Sequence, residues 1–145
     1  MGTLRIEAAV KTQPARISMP CWIEVTLTNQ SSDPVLINRR LSVGYRNSTD
    51  RELFVEVFRR GTDDLVSKQA LLYQRDPPRQ EDYVSLDPGK SISATFDLFE
   101  WYELPGPGDY DLVVSYSGDE SLRNQPAGLL TGTYSSNRAP LDVIA

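Results

Sequence analysis

Residues 82–117, DYVSLDPGKSISATFDLFEWYELPGPGDYDLVVSYS, hold two alternating apolar segments joined by two Pro-Gly punctuators, and their reading decides the fold. Ile92, Ala94, Phe96 and Leu98 fall on one face and Ser91, Ser93, Thr95 and Asp97 on the other, the period of a half-buried strand. Tyr110, Leu112, Val114 and Tyr116 repeat the alternation after the turn Pro107-Gly108-Asp109. Between the two segments FEWYELPGPG has room for one short helical turn, and its Pro and Gly content forbids a longer helix.

Working outward, Leu4, Ile6 and Ala8 alternate with Arg5, Glu7 and Ala9 as a first strand that Pro14 helps to end. In CWIEVTLTN, Ile23, Val25 and Leu27 form one face and Glu24, Thr26 and Thr28 the other, with Trp22 at the start of the strand. NQSSDP closes it as a turn. VLINRRLSV and ELFVEVFRRG are further strands. The second carries apolar residues on both faces, as a mid-sheet strand with its outer side covered or an interaction surface does. Gly61-Thr62-Asp63-Asp64 predicts a hairpin turn that pairs LVSK back onto it. LYQRDPPRQEDY, with Pro77-Pro78, is a loop or an extended edge segment, since adjacent prolines cannot continue a ladder. LLTGTYSSN and LDVIA end the chain. The pattern predicts an all-β protein, an immunoglobulin-like antiparallel β-sandwich of about seven or eight strands, with residues 1–145 as one domain. Tyr110 is the most informative residue for that class, because such sandwiches use the hydroxyl of a tyrosine after a Gly-containing turn to tie down a corner.

Composition bounds the function. The chain of 145 residues has a net charge of −5, 1 cysteine and no histidine. An acidic chain whose only basic clusters are Arg39-Arg40 and Arg59-Arg60 does not suit a nucleic-acid partner, and those pairs read as solvated strand ends. One cysteine excludes an intrachain disulfide, and no segment has the ~18 apolar residues of a membrane span. A cytoplasmic protein is expected, or a secreted one whose signal peptide has been removed. Without histidine, Ser-His-Asp, Cys-His and His-based zinc sites are excluded. Cys21 alone makes no thiolate zinc site, no Gly-rich phosphate loop occurs, and no cofactor is implied. A paired-acid hydrolase built from Asp97, Glu100, Glu103, Asp109 or Asp111 is chemically conceivable, but these carboxylates read as turn caps and solubilising groups. Asp109, Asp119 and Glu120 lack the spacing of a calcium loop.

The run 81–116, EDYVSLDPGKSISATFDLFEWYELPGPGDYDLVVSY, resembles the immunoglobulin-like domain found ahead of the catalytic domain in peptidyl-Lys (deuterolysin-type) metalloendopeptidases. Pro77, Tyr83, Leu86, Pro88, Gly89, Asp97, Leu98, Tyr102, Gly108, Tyr110 and Tyr116 carry the likeness, and TLTNQSSDPV and TGTYSSN look like the same domain's early strand-turn and last hairpin. More loosely, the chain is similar to Bacillus-type intracellular proteinase inhibitors. The peptidases' zinc motif has no counterpart here, so the resemblance implies the accessory module alone. The function expected is non-catalytic protein binding, as an inhibitor or immunity-type partner of a peptidase or toxin. The alternatives are a stand-alone accessory or structural domain of an assembly and a carbohydrate-binding sandwich. Candidate binding residues are Phe99, Trp101 and Tyr102, which read either as interface anchors or as caps on the core, and Pro77 and Pro78, which give an edge that a partner chain can pair with.

Overall fold

A computed structural model describes residues 4–41, 43, 52–69, 82–118 and 130–145. Its strands are β1 (Leu4–Val10), β2 (Ala15–Arg16), β3 (Trp22–Asn29), β4 (Val35–Asn38), β5 (Leu53–Arg59), β6 (Lys68–Gln69), β7 (Tyr83–Leu86) and β8 (Ser91–Asp97). One helical turn, α1 (Leu98–Trp101), follows, and then β9 (Tyr102–Glu103), β10 (Gly108–Gly118), β11 (Gly132–Ser135) and β12 (Ala139–Ile144). The all-β architecture expected from the alternation is present. The four-residue β7 and the shorter β2, β6 and β9 are additional, because pairings this brief leave little or no periodic signal.

Two sheets form the sandwich. The first has the order β1-β3-β8, all antiparallel. The second is organised by β10, which pairs with β5 along one edge from Tyr110 to Tyr116. Its other edge is divided between β12, opposite residues 108–112, and β11, opposite residues 115–118. The six strands of six or more residues thus divide evenly, with β1, β3 and β8 in one sheet and β5, β10 and β12 in the other, while β4 and β7 pair as a separate ladder. β8 and β10, adjacent in sequence, belong to different sheets, and α1 with β9 makes the passage between them. The chain also changes sheet after β1, where β2 runs parallel to the end of β12 before β3 returns to the first sheet.

The alternating residues fill the space between the sheets. Leu4, Ile6 and Ala8 of β1 and Ile23, Val25 and Leu27 of β3 share one buried cluster with Val55, Val57, Leu112, Val114, Leu141 and Val143 of the second sheet. Each large side chain buried there contributes about 1.5–3 kcal/mol relative to exposure. Tyr110 is buried, and its hydroxyl donates to the Gly106 carbonyl at 2.6 Å, which is the corner bond the sequence predicted. Pro88-Gly89 forms a turn closed by Lys90 N donating to Asp87 O at 3.0 Å, with Gly89 at φ 78, the left-handed geometry that its lack of Cβ makes cheap.

Asn29, fully buried, manages the bend where the β3-β8 ladder passes into the β4-β7 ladder. Its amide donates to the carbonyls of Asp33 and Leu86, both at 2.8 Å, and its carbonyl accepts from Ser31 N at 2.8 Å. Two local readings differ from the structure. LVSK does not close a simple hairpin: Leu65 bridges Phe58 and Val66 N donates to Val57 O, but β6 then leaves to pair with β9. β5 therefore lies between β10 and this segment, and Phe54, on its outer side, is buried as a covered mid-sheet position requires. Arg40 is no solvated strand end, since it makes a two-point contact with the buried Glu52 at 3.0 and 2.8 Å. Arg59 and Arg60 pair with Asp64 and Asp142.

Candidate functional site

The aromatic corner begins at Asp97, the last residue of β8. Its carboxylate accepts from Phe99 N at 3.1 Å, capping α1, and from Cys21 N at 2.9 Å. Leu98 N in turn donates to Cys21 O at 2.8 Å. The start of α1 is thereby fastened to the connection that carries the chain from β2 into β3. In one helical turn residues three apart share a face, so Leu98 and Trp101 both point inward.

This geometry distributes the sequence-predicted residues unequally. Trp101 is 8% exposed and Tyr102 7%, and both lie in the core. The Tyr102 hydroxyl accepts from Val55 N at 3.1 Å, so the ring caps the sandwich and satisfies a β5 donor. Phe99 is half-buried against the same core, with Glu100 and Glu103 exposed beside it. A partner meeting this corner encounters Phe99 and the two carboxylates before it reaches either buried ring. Pro77 and Pro78 lie outside the described residues, as do Asp119 and Glu120.

Next to α1, the connection 17–21 carries apolar side chains into solvent. Met19 is 57% exposed, Trp22 46% and Ile17 37%. Main-chain bonds hold the segment in place: Ile17 N donates to Ile144 O at 3.3 Å, Met19 N to Arg16 O at 3.2 Å, and Lys11 N to Trp22 O at 2.8 Å. Trp22 N also donates to the Thr12 hydroxyl at 3.1 Å, and Ser18 occupies the left-handed region at φ 69. Cys21, between Met19 and Trp22, is fully buried, and burial first and the Asp97 charge second push its thiol up to about 11. A thiol so placed is a small hydrophobe rather than a nucleophile. Sequence reasoning passed over Ile17 and Met19 and placed Trp22 only at the start of a strand. The signal for Trp22 was its phase, because it falls with Glu24, Thr26 and Thr28 on the polar face of β3, opposite Ile23 and Val25.

Of the other candidate carboxylates, Asp111 is engaged structurally. Asp111 accepts from Gly61 N at 3.1 Å and lies 3.7 Å from Arg60 and 3.4 Å from Arg138. The Arg138 guanidinium also stacks 4.6 Å from the Phe58 ring centroid. Among the described residues no group of three or more Cys, Asp or Glu side chains is placed to hold a metal ion, and no helix is long and apolar enough to cross a membrane. No protein-family model matches this chain, and comparison with curated proteins finds no match.

Proposed function

We propose that this chain is a non-catalytic protein-binding module, acting as an inhibitor or immunity-type partner of a peptidase or toxin, and that the partner docks on the corner formed by Ile17, Met19, Trp22 and Phe99. The observation that carries this reading is the exposure of Met19 and Trp22, three residues apart on a stretch whose backbone is fixed by six hydrogen bonds, donated by Ile17, Met19, Cys21 and Trp22 and, onto Trp22 O and Cys21 O, by Lys11 and Leu98. An adaptable methionine beside a rigid indole makes an interface anchor with little entropy left to lose on binding. Glu100 and Glu103 lie nearby and supply a negative rim for a basic partner surface. The likeness to peptidase-associated domains gives the class of partner.

The test is affinity capture from the source cells with the wild-type protein and with a Met19→Ala/Trp22→Ala variant, then reconstitution with the purified captured protein. The expected result is a peptidase or toxin whose activity falls on binding, with affinity reduced roughly 30-fold or more in the variant, as loss of two anchors implies. Equal affinity for both forms overturns the placement. Absence of any partner, together with turnover that depends on one carboxylate, overturns the function.

A further inference from the structure

Among the described residues β1 ends its sheet, and no strand pairs with its outward edge. In its antiparallel ladder with β3 the backbone groups alternate in direction. The bond from Ala8 N to the Asn137 side-chain carbonyl, 3.2 Å, shows that the even residues turn their N–H and C=O away from β3. Asn137 returns a second, longer bond of 3.5 Å from its amide to Ala8 O, so one carboxamide imitates one residue of a neighbouring strand. Ile6 shares that direction and has no such cap among the described residues. Beside it a groove of about 410 Å³ is lined by residues 5–9 with Glu24, Thr26 and Asn137.

The outer face of this edge bears Arg5 and Glu7, 56% and 52% exposed and paired with each other at 3.2 Å. We propose that β1 is the pairing edge of a symmetric dimer, in which two copies align their β1 strands antiparallel with Ile6 opposite Ile6 and Arg5 opposite Glu7 of the second copy. The charges select this register. Centring the pairing on residue 5 sets Arg5 against Arg5 and centring it on residue 7 sets Glu7 against Glu7, both repulsive; centring it on residue 8 gives Arg5 and Glu7 no opposite charge within β1, and centring it on residue 9 sets Glu7 against Lys11 beyond the strand and keeps only residues 8–10 of β1 in the pairing. The Ile6-centred register brings opposite charges of β1 itself together, twice by symmetry, while keeping Leu4, Ile6 and Ala8 on the core side. Asn137 yields its two bonds at Ala8 to the main chain of Leu4 in the second copy and acts as a removable edge cap. The pairing is independent of the corner at Met19 and Trp22, so its failure leaves the protein-binding reading intact.

The experiment is sedimentation equilibrium of the full chain over a range reaching millimolar concentration. A reversible dimer is expected, weakened by roughly tenfold or more in Arg5→Glu, where both pairs turn repulsive, and restored in the Arg5→Glu/Glu7→Arg exchange. Asn137→Ala removes the competing cap and strengthens the dimer. Arg5→Cys/Glu7→Cys places cysteines at directly opposed, non-hydrogen-bonded positions, about 4.5 Å apart at Cα, and oxidation is expected to yield a covalent dimer. Circular dichroism confirms that each variant is folded, and the exchange variant carries the test if Arg5→Glu is not. A monomer at every concentration for both wild type and Asn137→Ala overturns the proposal, as does a dimer indifferent to the charge reversal.

Discussion

Replacing Asp97 with alanine removes two restraints at once, and the size of the loss tests whether this carboxylate is what ties the exposed corner to the core. The α1 cap, the bond to Phe99 N, is worth about 1 kcal/mol. The bond to Cys21 N is made by a donor on a fully buried residue to a charged acceptor, worth about 1.5–3 kcal/mol. The same oxygen accepts both, so the two losses do not add fully, and about 3 kcal/mol is expected for Asp97→Ala. For a chain of this size that is a fall in Tm of roughly 5–10 °C. Asp97→Asn keeps an oxygen in place and is expected to lose about 1 kcal/mol or less. Urea unfolding followed by the fluorescence of Trp22 and Trp101 measures both, with an unchanged m-value confirming that the folded state itself is being compared. Because the Asp97 charge is the second cause of the raised Cys21 pKa, Asp97→Asn is also expected to lower it, while burial holds it above its ordinary 9.0. The pH profile of thiol alkylation reads this directly. Asp97→Ala within about 0.5 kcal/mol of wild type, or equal losses for the alanine and asparagine variants, refutes the reasoning.

Tyr110→Phe leaves the buried ring and deletes the 2.6 Å bond to Gly106, and is expected to destabilise by about 1–2 kcal/mol. Tyr134→Phe, which loses a 3.3 Å bond from a half-buried ring, serves as the comparison and is expected to cost under about 0.5 kcal/mol; equal effects in denaturant melts contradict the corner's importance. Alkaline pH destabilises the fold through two buried groups. Cys21 rises from 9.0 to about 11, and Tyr116, held up mainly by burial against the opposing Asn38 bond, rises from 10.0 to about 12. Both are protonated in the native state at a pH where the unfolded chain has lost its proton, so stability is level below pH 9 and falls between about 9 and 12. Each group contributes about 3 kcal/mol across its window. Melts in a pH series are expected to show Cys21→Ala delaying the fall and Tyr116→Phe reducing its upper part; a curve that is flat to pH 12 contradicts both.

The all-β class, the main strands, the tyrosine corner and the want of histidine-based chemistry were legible in the residues themselves. Alternation with period two and punctuation by Pro and Gly are local properties, and each strand displays them whether or not its partner is known. What the sequence left open depended on distant pieces of chain. Trp101 and Tyr102 read either as caps or as anchors until a helical turn, pinned by Asp97 to Cys21 from 76 positions away, rotated them inward. Met19 and Ile17 carry no periodic signal because they lie in a connection, and their exposure follows from β2 joining one sheet and β3 the other. Arg40 looked like a solvated charge and became the partner of a buried glutamate only when two strands brought them together. The sequence by itself determined which residues alternate and which chemistry is missing, because those follow from side-chain type and spacing. Tertiary structure alone decided which apolar side chains remained for a partner, because exposure is what is left after distant segments have covered one another.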